Sequence, residues 1–232
     1  MEMRAFTRTC GCVENFELLV SGVGPVETAF TLTSRLALGL DNLQGVIHFG
    51  IAGAYFRTDD DGAGMLDICL AAEEVLGDLG ICHQDRIESF SAPELGIQDR
   101  FSLNGKLLEQ ATLFLQQKKI PYRTGRFITV NCVSGTRKRG DMLADQFQGL
   151  CENMEGAAVA RVCAGFNLPC LELRCISNFV EDRNTGRWKL KEACARAGKV
   201  AALVAEYLSV SQAGADSGPV HAVCSGSQPA RR

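Results

Sequence analysis

The sequence predicts an α/β protein folded as one domain, and three observations carry that expectation. Strand, glycine turn and helix recur along the chain, the pattern of a sheet covered by helices. Its 232 residues, 46% of them hydrophobic, suffice for one substantial core and fit one domain better than two. An apolar run, Leu168-Pro169-Cys170-Leu171-Glu172-Leu173-Arg174-Cys175-Ile176, reads as a buried strand and ends in polar residues, where open α/β sheets place ligand chemistry.

Taken in order, Phe16-Glu17-Leu18-Leu19-Val20-Ser21 reads as the first strand. Gly22-Val23-Gly24 turns it into a helix through Ala29, Leu32, Leu36 and Leu40. Gly45 to Phe49 forms a short apolar strand closed by Gly50-Ile51-Ala52-Gly53. Further strands are expected at 67–76 and 126–133, a helix at about 103–119 and a last helix at 190–208. After Asn153-Met154-Glu155-Gly156-Ala157-Ala158, apolar residues at Val159, Val162, Cys163 and Phe166 continue a helical period. Glu155 is thereby expected in a first helical turn, where the helix dipole favours an ionised carboxylate. The Leu168 to Ile176 strand leaves Ser177 and Asn178 at its carboxyl end. The domain is expected over 1–208, and 209–232, rich in Ser, Gly, Pro and Gln, as a disordered tail.

Composition narrows the function classes. A net charge of -3 leaves no basic footprint for nucleic acid. No run approaches the roughly eighteen apolar residues of a membrane span, and the amino terminus lacks an export signal. A cytoplasmic protein with no membrane partner is expected. Of the eleven cysteines, Cys69, Cys132, Cys163, Cys170 and Cys175 sit in apolar stretches and read as reduced core thiols. No CxxC pair occurs, and His48, His83 and His221 are scattered, so neither a metal nor another cofactor is expected.

The block Asn153 to Ala158, followed by Arg174-Cys175-Ile176-Ser177-Asn178-Phe179-Val180-Glu181-Asp182-Arg183-Asn184 and then Trp188, resembles the nucleoside phosphorylase and nucleosidase superfamily. Within it the likeness is greatest to the futalosine hydrolases, from about residue 2 to about residue 208. The resemblance implies a three-layer domain with a mixed, twisted central sheet, a homo-oligomer (dimer or larger), and a small-molecule purine nucleoside as substrate. It further implies that Met154 and Glu155 hold the ribose and that Asn178 engages the purine. Gly22, Val23 and Gly24 would line the nucleoside pocket, Ala52 and Gly53 would approach the ribose and the nucleophile, and Cys132-Val133-Ser134-Gly135-Thr136 would flank the base. Family members open on a buried strand leading to a water-activating acid. That strand is absent ahead of Met1-Glu2-Met3-Arg4-Ala5-Phe6, with Glu2 in the acid's position, and its loss would leave bare strand edges.

Cleaving an N-glycosidic bond develops positive charge on the ribose and negative charge on the leaving purine, and catalysis has to stabilise both. On the likeness, Glu155 would serve the ribose, Asn178 the purine and Glu2 the water. A neutral amide at 178 donates towards a 6-oxopurine, whereas an acid there suits adenine. The expected reaction is hydrolysis of futalosine to hypoxanthine and dehypoxanthine futalosine, a step of menaquinone biosynthesis by the futalosine route. Two alternatives stay open: an adenine-releasing methylthioadenosine/adenosylhomocysteine nucleosidase, and a non-catalytic nucleoside-binding protein. Glu27 would repel phosphate if it falls where phosphorylases bind that ion, but reads equally well as an ordinary helix-start acid. Arg183 and Arg187 read first as a solvated surface pair and second as contacts for a substrate carboxylate.

Overall fold

A computed structural model describes residues 1–11, 16–39, 43–57, 62–90, 93–212 and 220–224. The chain opens on helix α1 (Glu2–Thr9), followed by β1 (Phe16–Val20), α2 (Pro25–Leu36) and β2 (Gly45–Ala54). Next come β3 (Ile68–Leu76), the short strands β4 (Ile81–Cys82), β5 (Ile87–Glu88) and β6 (Arg100–Ser102), then α3 (Lys106–Gln117) and β7 (Tyr122–Thr129). The remainder is α4 (Arg137–Phe147), β8 (Gly149–Asn153), α5 (Gly156–Gly165), β9 (Cys170–Phe179), α6 (Leu190–Gln212) and β10 (Val220–Cys224).

The main sheet is mixed and closes on itself. β2 pairs parallel with β9, β9 antiparallel with β3, β3 parallel with β7, β7 parallel with β8, and β8 antiparallel with the end of β2. β9 shows how helices come to cover both faces. Its Leu171, Leu173 and Cys175 join a core with Phe49 of β2, Phe114 of α3 and Val204 of α6, while Glu172 and Arg174, also buried, lie on the other face towards α5. Alternation along one strand therefore separates an apolar layer from a polar one. α2 packs on α5 through a second cluster that includes Leu32, Leu36, Val159 and Val162.

Three expectations change. Gly50 to Gly53 is no closing turn, because β2 continues through it to Ala54; pairing with β9 on one side and β8 on the other outweighs the glycine signal. The 126–133 strand is shifted, ending at Thr129. The tail expectation is corrected in part: α6 runs to Gln212, and Val220–Cys224 is a strand lying parallel between β1 and β2. That strand, Val220-His221-Ala222-Val223-Cys224, is a short apolar run inside a polar tail, and its backbone pairs with the facing edges of β1 and β2. Leu40, 213–219 and 225–232 fall outside the described residues.

Candidate active site

The carboxyl ends of β2, β8 and β9 converge on a cleft of about 270 Å³. Glu2, Val23, Ala52, Gly53, Val133, Met154, Glu155 and Asn178 line it together. Gly24 stands one layer back and acts through its backbone, donating its N–H to Glu155 Oε1 at 3.2 Å. Positive φ values at Gly22 (91°) and Gly24 (86°) let the chain turn tightly from β1 into α2, a backbone region costly for other residues. Cys132 does not join the site. It is exposed beyond the end of β7, where its N–H bonds Asp78 and its carbonyl accepts from Arg139, because its strand ends at Thr129, short of the expected 133.

Glu155 is the N-cap of α5 rather than part of its first turn, and is only 5% exposed. Its own N–H is bonded by Asn153 Oδ1 at 2.9 Å, and its Oε2 faces Arg174 at 3.3 Å. Backbone, helix end and guanidinium thus hold the carboxylate in one orientation at the cleft wall. Met154 lies beside it at the end of β8, a strand that sequence reasoning missed because Glu152 and Asn153 interrupt a run of only five residues.

Asn178 sits near the end of β9. Ser177 Oγ donates to its Oδ1 at 2.8 Å, and its Nδ2 donates to the Phe179 carbonyl at 3.1 Å, leaving a second amide hydrogen. Gly53 makes room for that amide, since a Cβ there would meet Asn178 Nδ2 and Val180 Cγ2 at 3.1 Å each.

Glu2 opens α1 and is 6% exposed, with Cys194 Sγ 3.1 Å from its Oε1. Gly198 of α6 permits this placement: a Cβ there would stand 2.2 Å from the Glu2 carbonyl. α1 therefore lies tight against α6 and delivers Glu2 to the cleft.

Several lining residues were not assigned a role from the sequence: Ile51, Glu152, Arg174, Trp188 and Leu190. The Glu152 carboxylate accepts from Ser134 N (2.9 Å), Ser134 Oγ (2.7 Å) and Tyr55 OH (3.2 Å). Burial nonetheless pushes its carboxyl above the usual range. Arg174 carried a sequence signal in the form of a charged residue inside an apolar strand, which requires a buried partner. The arginines 183 and 187 separate. The Arg183 guanidinium stacks 4.9 Å over Trp188 and both line the cleft rim, whereas Arg187 is exposed beside Glu181 at 3.5 Å. Glu27 is exposed on α2 and does not line the cleft, so it supplies no argument against phosphate.

A closed mixed sheet whose strand ends form one cleft, lined by Glu155 at a helix start and by Asn178, defines an α/β protein that takes its ligand at the carboxyl ends of its strands. Residues 6–209 match the family described as the phosphorylase superfamily, and the chain belongs to it. Futalosine hydrolase from Thermus thermophilus is 31% identical over 178 residues, which cover 77% of this chain and 76% of the relative. Aminodeoxyfutalosine nucleosidase from Helicobacter pylori is 28% identical over 176 residues, 75% of this chain and 72% of the relative. Among solved structures, the Helicobacter pylori 5'-methylthioadenosine/S-adenosylhomocysteine nucleosidase with butyl-thio-DADMe-Immucillin-A superposes with a TM-score of 0.68 at 25% identity, covering 80% of this chain and 77% of that one. The chain is an N-glycosyl hydrolase acting on a nucleoside. No described helix is long and apolar enough to cross a membrane.

Proposed function

We propose that this enzyme hydrolyses futalosine, an inosine-like nucleoside with a carboxyphenyl-ketone side chain, releasing hypoxanthine and dehypoxanthine futalosine on the route to menaquinone. The observation that carries the choice of base is the neutral amide of Asn178 in the cleft wall, its oxygen engaged by Ser177 and its nitrogen keeping a hydrogen to donate. Such a donor complements the acceptors of a 6-oxopurine and stabilises charge arriving on the leaving base. Glu155 holds the ribose hydroxyls and favours the positively charged ring, and Glu2 takes a proton from the attacking water. Glu2, Glu152 and Glu155 face the cleft beside Arg174 and Arg183, and the hydrolytic choice of water over phosphate rests on Glu2 as its base.

Incubation with futalosine, with and without phosphate, followed by chromatography of the released base tests the reading directly. Hypoxanthine at a rate independent of phosphate is expected. A ribose-1-phosphate-type product, or adenine released from methylthioadenosine with futalosine untouched, would overturn it.

Two substitutions sharpen the test. Asn178→Asp is expected to lower kcat/KM for the hypoxanthine nucleoside and narrow its advantage over the corresponding adenine nucleoside. Loss of one good hydrogen bond costs about 1–3 kcal/mol, or roughly 5- to 150-fold. The ratio of the two kcat/KM values, taken at several pH values because the new carboxyl titrates, checks it; an unchanged ratio means that residue 178 does not read the base. Arg183→Gln tests the side-chain carboxylate. Arg183 is exposed at the rim, so its ion pair is worth at most about 1 kcal/mol and KM should rise only about two- to fivefold with kcat kept. The same substitution should leave an uncharged nucleoside unaffected.

A further inference from the structure

Beneath Glu155 lies a buried polar assembly that the reaction as described does not use. It begins at Gly156, where a Cβ would stand 2.0 Å from Glu74 Oε1 and 2.5 Å from Glu172 Oε2. No side chain fits, and the start of α5 rests directly on a pair of carboxyl groups from β3 and β9. From that pair two arms run to the same residue. On one, Glu172 Oε1 accepts from Arg174 Nε at 2.8 Å and Arg174 reaches Glu155 Oε2 at 3.3 Å. On the other, Glu74 accepts from Thr129 Oγ1 at 2.7 Å and from Asn153 Nδ2 at 2.6 Å. Thr129 Oγ1 in turn accepts the N–H of Ala157 at 2.8 Å, and Asn153 Oδ1 those of Glu155 and Gly156 at 2.9 and 2.7 Å.

We propose that Glu74 and Glu172 are positioning residues for Glu155, one fixing its side chain through Arg174 and the other its backbone through Thr129 and Asn153, with Gly156 as the gap that lets the two carboxyls meet. The assembly holds its charge in a defined way. Burial and the neighbouring Glu172 push Glu74 well above the carboxylate range, so it keeps its proton. Burial opposes ionisation of Glu172 as well, but the Arg174 charge and a hydrogen bond from His48 outweigh it and hold that carboxyl at about 2. Glu172 Oε2 accepts from no ordinary donor, and the Glu74 proton is the one placed to reach it. His48, pushed down by burial and by Arg174, is neutral. The buried charges are then Glu155 and Glu172 against Arg174, and removing either carboxylate leaves one matched pair. Neither removal strands an uncompensated charge, the usual cause of failed folding.

The role rests on the reading that Glu155 grips the ribose, and a mutant cycle separates the two claims. Glu172→Gln is expected to lower kcat by about 10- to 100-fold with KM within about threefold, the size of loss that misplacing a reacting group produces. In a Glu155→Gln background the same change should cost less than about threefold more, because a group acting only through Glu155 has nothing left to act on. Losses that multiply would overturn the proposal. Glu74→Gln keeps a neutral donor and should retain activity, Glu74→Leu should lose it, and equal activities would also count against the role. Thr129→Val, which removes one hydroxyl and no charge, reports on the backbone arm should Glu74→Leu not fold; unaltered kcat there would overturn that arm. The cycle is run on whichever of futalosine and methylthioadenosine the wild type cleaves. If it cleaves neither, the proposed function fails, and the positioning claim is read from the Glu155/Glu172 cycle in urea unfolding, where non-additivity supports it and additivity overturns it.

Discussion

Glu155→Gln is expected to lower kcat/KM by about 10³-fold in a protein that still folds. The catalytic part follows from what the carboxylate does as the bond breaks: its hydrogen bonds to the ribose strengthen as positive charge grows on the ring, and an amide cannot match that charge. Loss of one preorganised group of this kind costs roughly 10²- to 10³-fold, and loss of the charge beside the ring adds to it. Folding should survive because Arg174, which bonds Glu155 at 3.3 Å, also holds Glu172 at 2.8 Å and keeps a counter-charge. Steady-state kinetics with futalosine, beside thermal unfolding, checks both halves. Turnover within about tenfold of wild type in a folded Glu155→Gln protein would remove Glu155 from the mechanism.

Glu2→Gln should be nearly as damaging, with kcat reduced about 10²- to 10⁴-fold and KM changed only a few-fold, the signature of losing a general base rather than a binding group. Glu2 is buried at the cleft, 3.1 Å from the Cys194 thiol, on a helix held close to α6 by Gly198. The amide keeps that contact and the packing, so the fold should be retained. Two controls make the result specific. Glu152→Gln alters a second buried carboxyl of the cleft and should cost far less; if the two losses are reversed, Glu152 is the base. Gly198→Ala should also reduce turnover, since its Cβ would stand 2.2 Å from the Glu2 carbonyl and push α1 away from the cleft.

Much of this was legible in the chain itself. The α/β class, β1, α2, α3, the strand carrying Asn178 and the last helix followed from hydrophobic period and glycine placement, because these elements bury one clear stripe or face. Glu155 and Asn178 do stand at a helix start and near a strand end, but the roles given to them came from the family likeness, since either place suits an ordinary cap or charge as well. β8 was not, since its five residues include Glu152 and Asn153 and are buried through pairing with β2 and β7. Cys132 was misplaced for a related reason: its strand was drawn too long, and the true end at Thr129 turns that cysteine outward.

What the sequence by itself determined is the set of chemical groups and the local elements that carry them: carboxylates at 2 and 155, an amide at 178, and the Gly22-Val23-Gly24 turn. Only the tertiary structure decided which of those groups share a cleft and what holds them there. Glu2 and Cys194 are 192 positions apart and meet at 3.1 Å. Glu74, Thr129, Asn153 and Glu172, far apart in sequence, come together under Gly156 because β3, β7, β8 and β9 belong to one closed sheet. The Val220–Cys224 strand likewise takes its place from the facing edges of β1 and β2. Local propensity depends on near neighbours, but the pairing of strand edges and the partnering of buried charges are satisfied by residues distant along the chain.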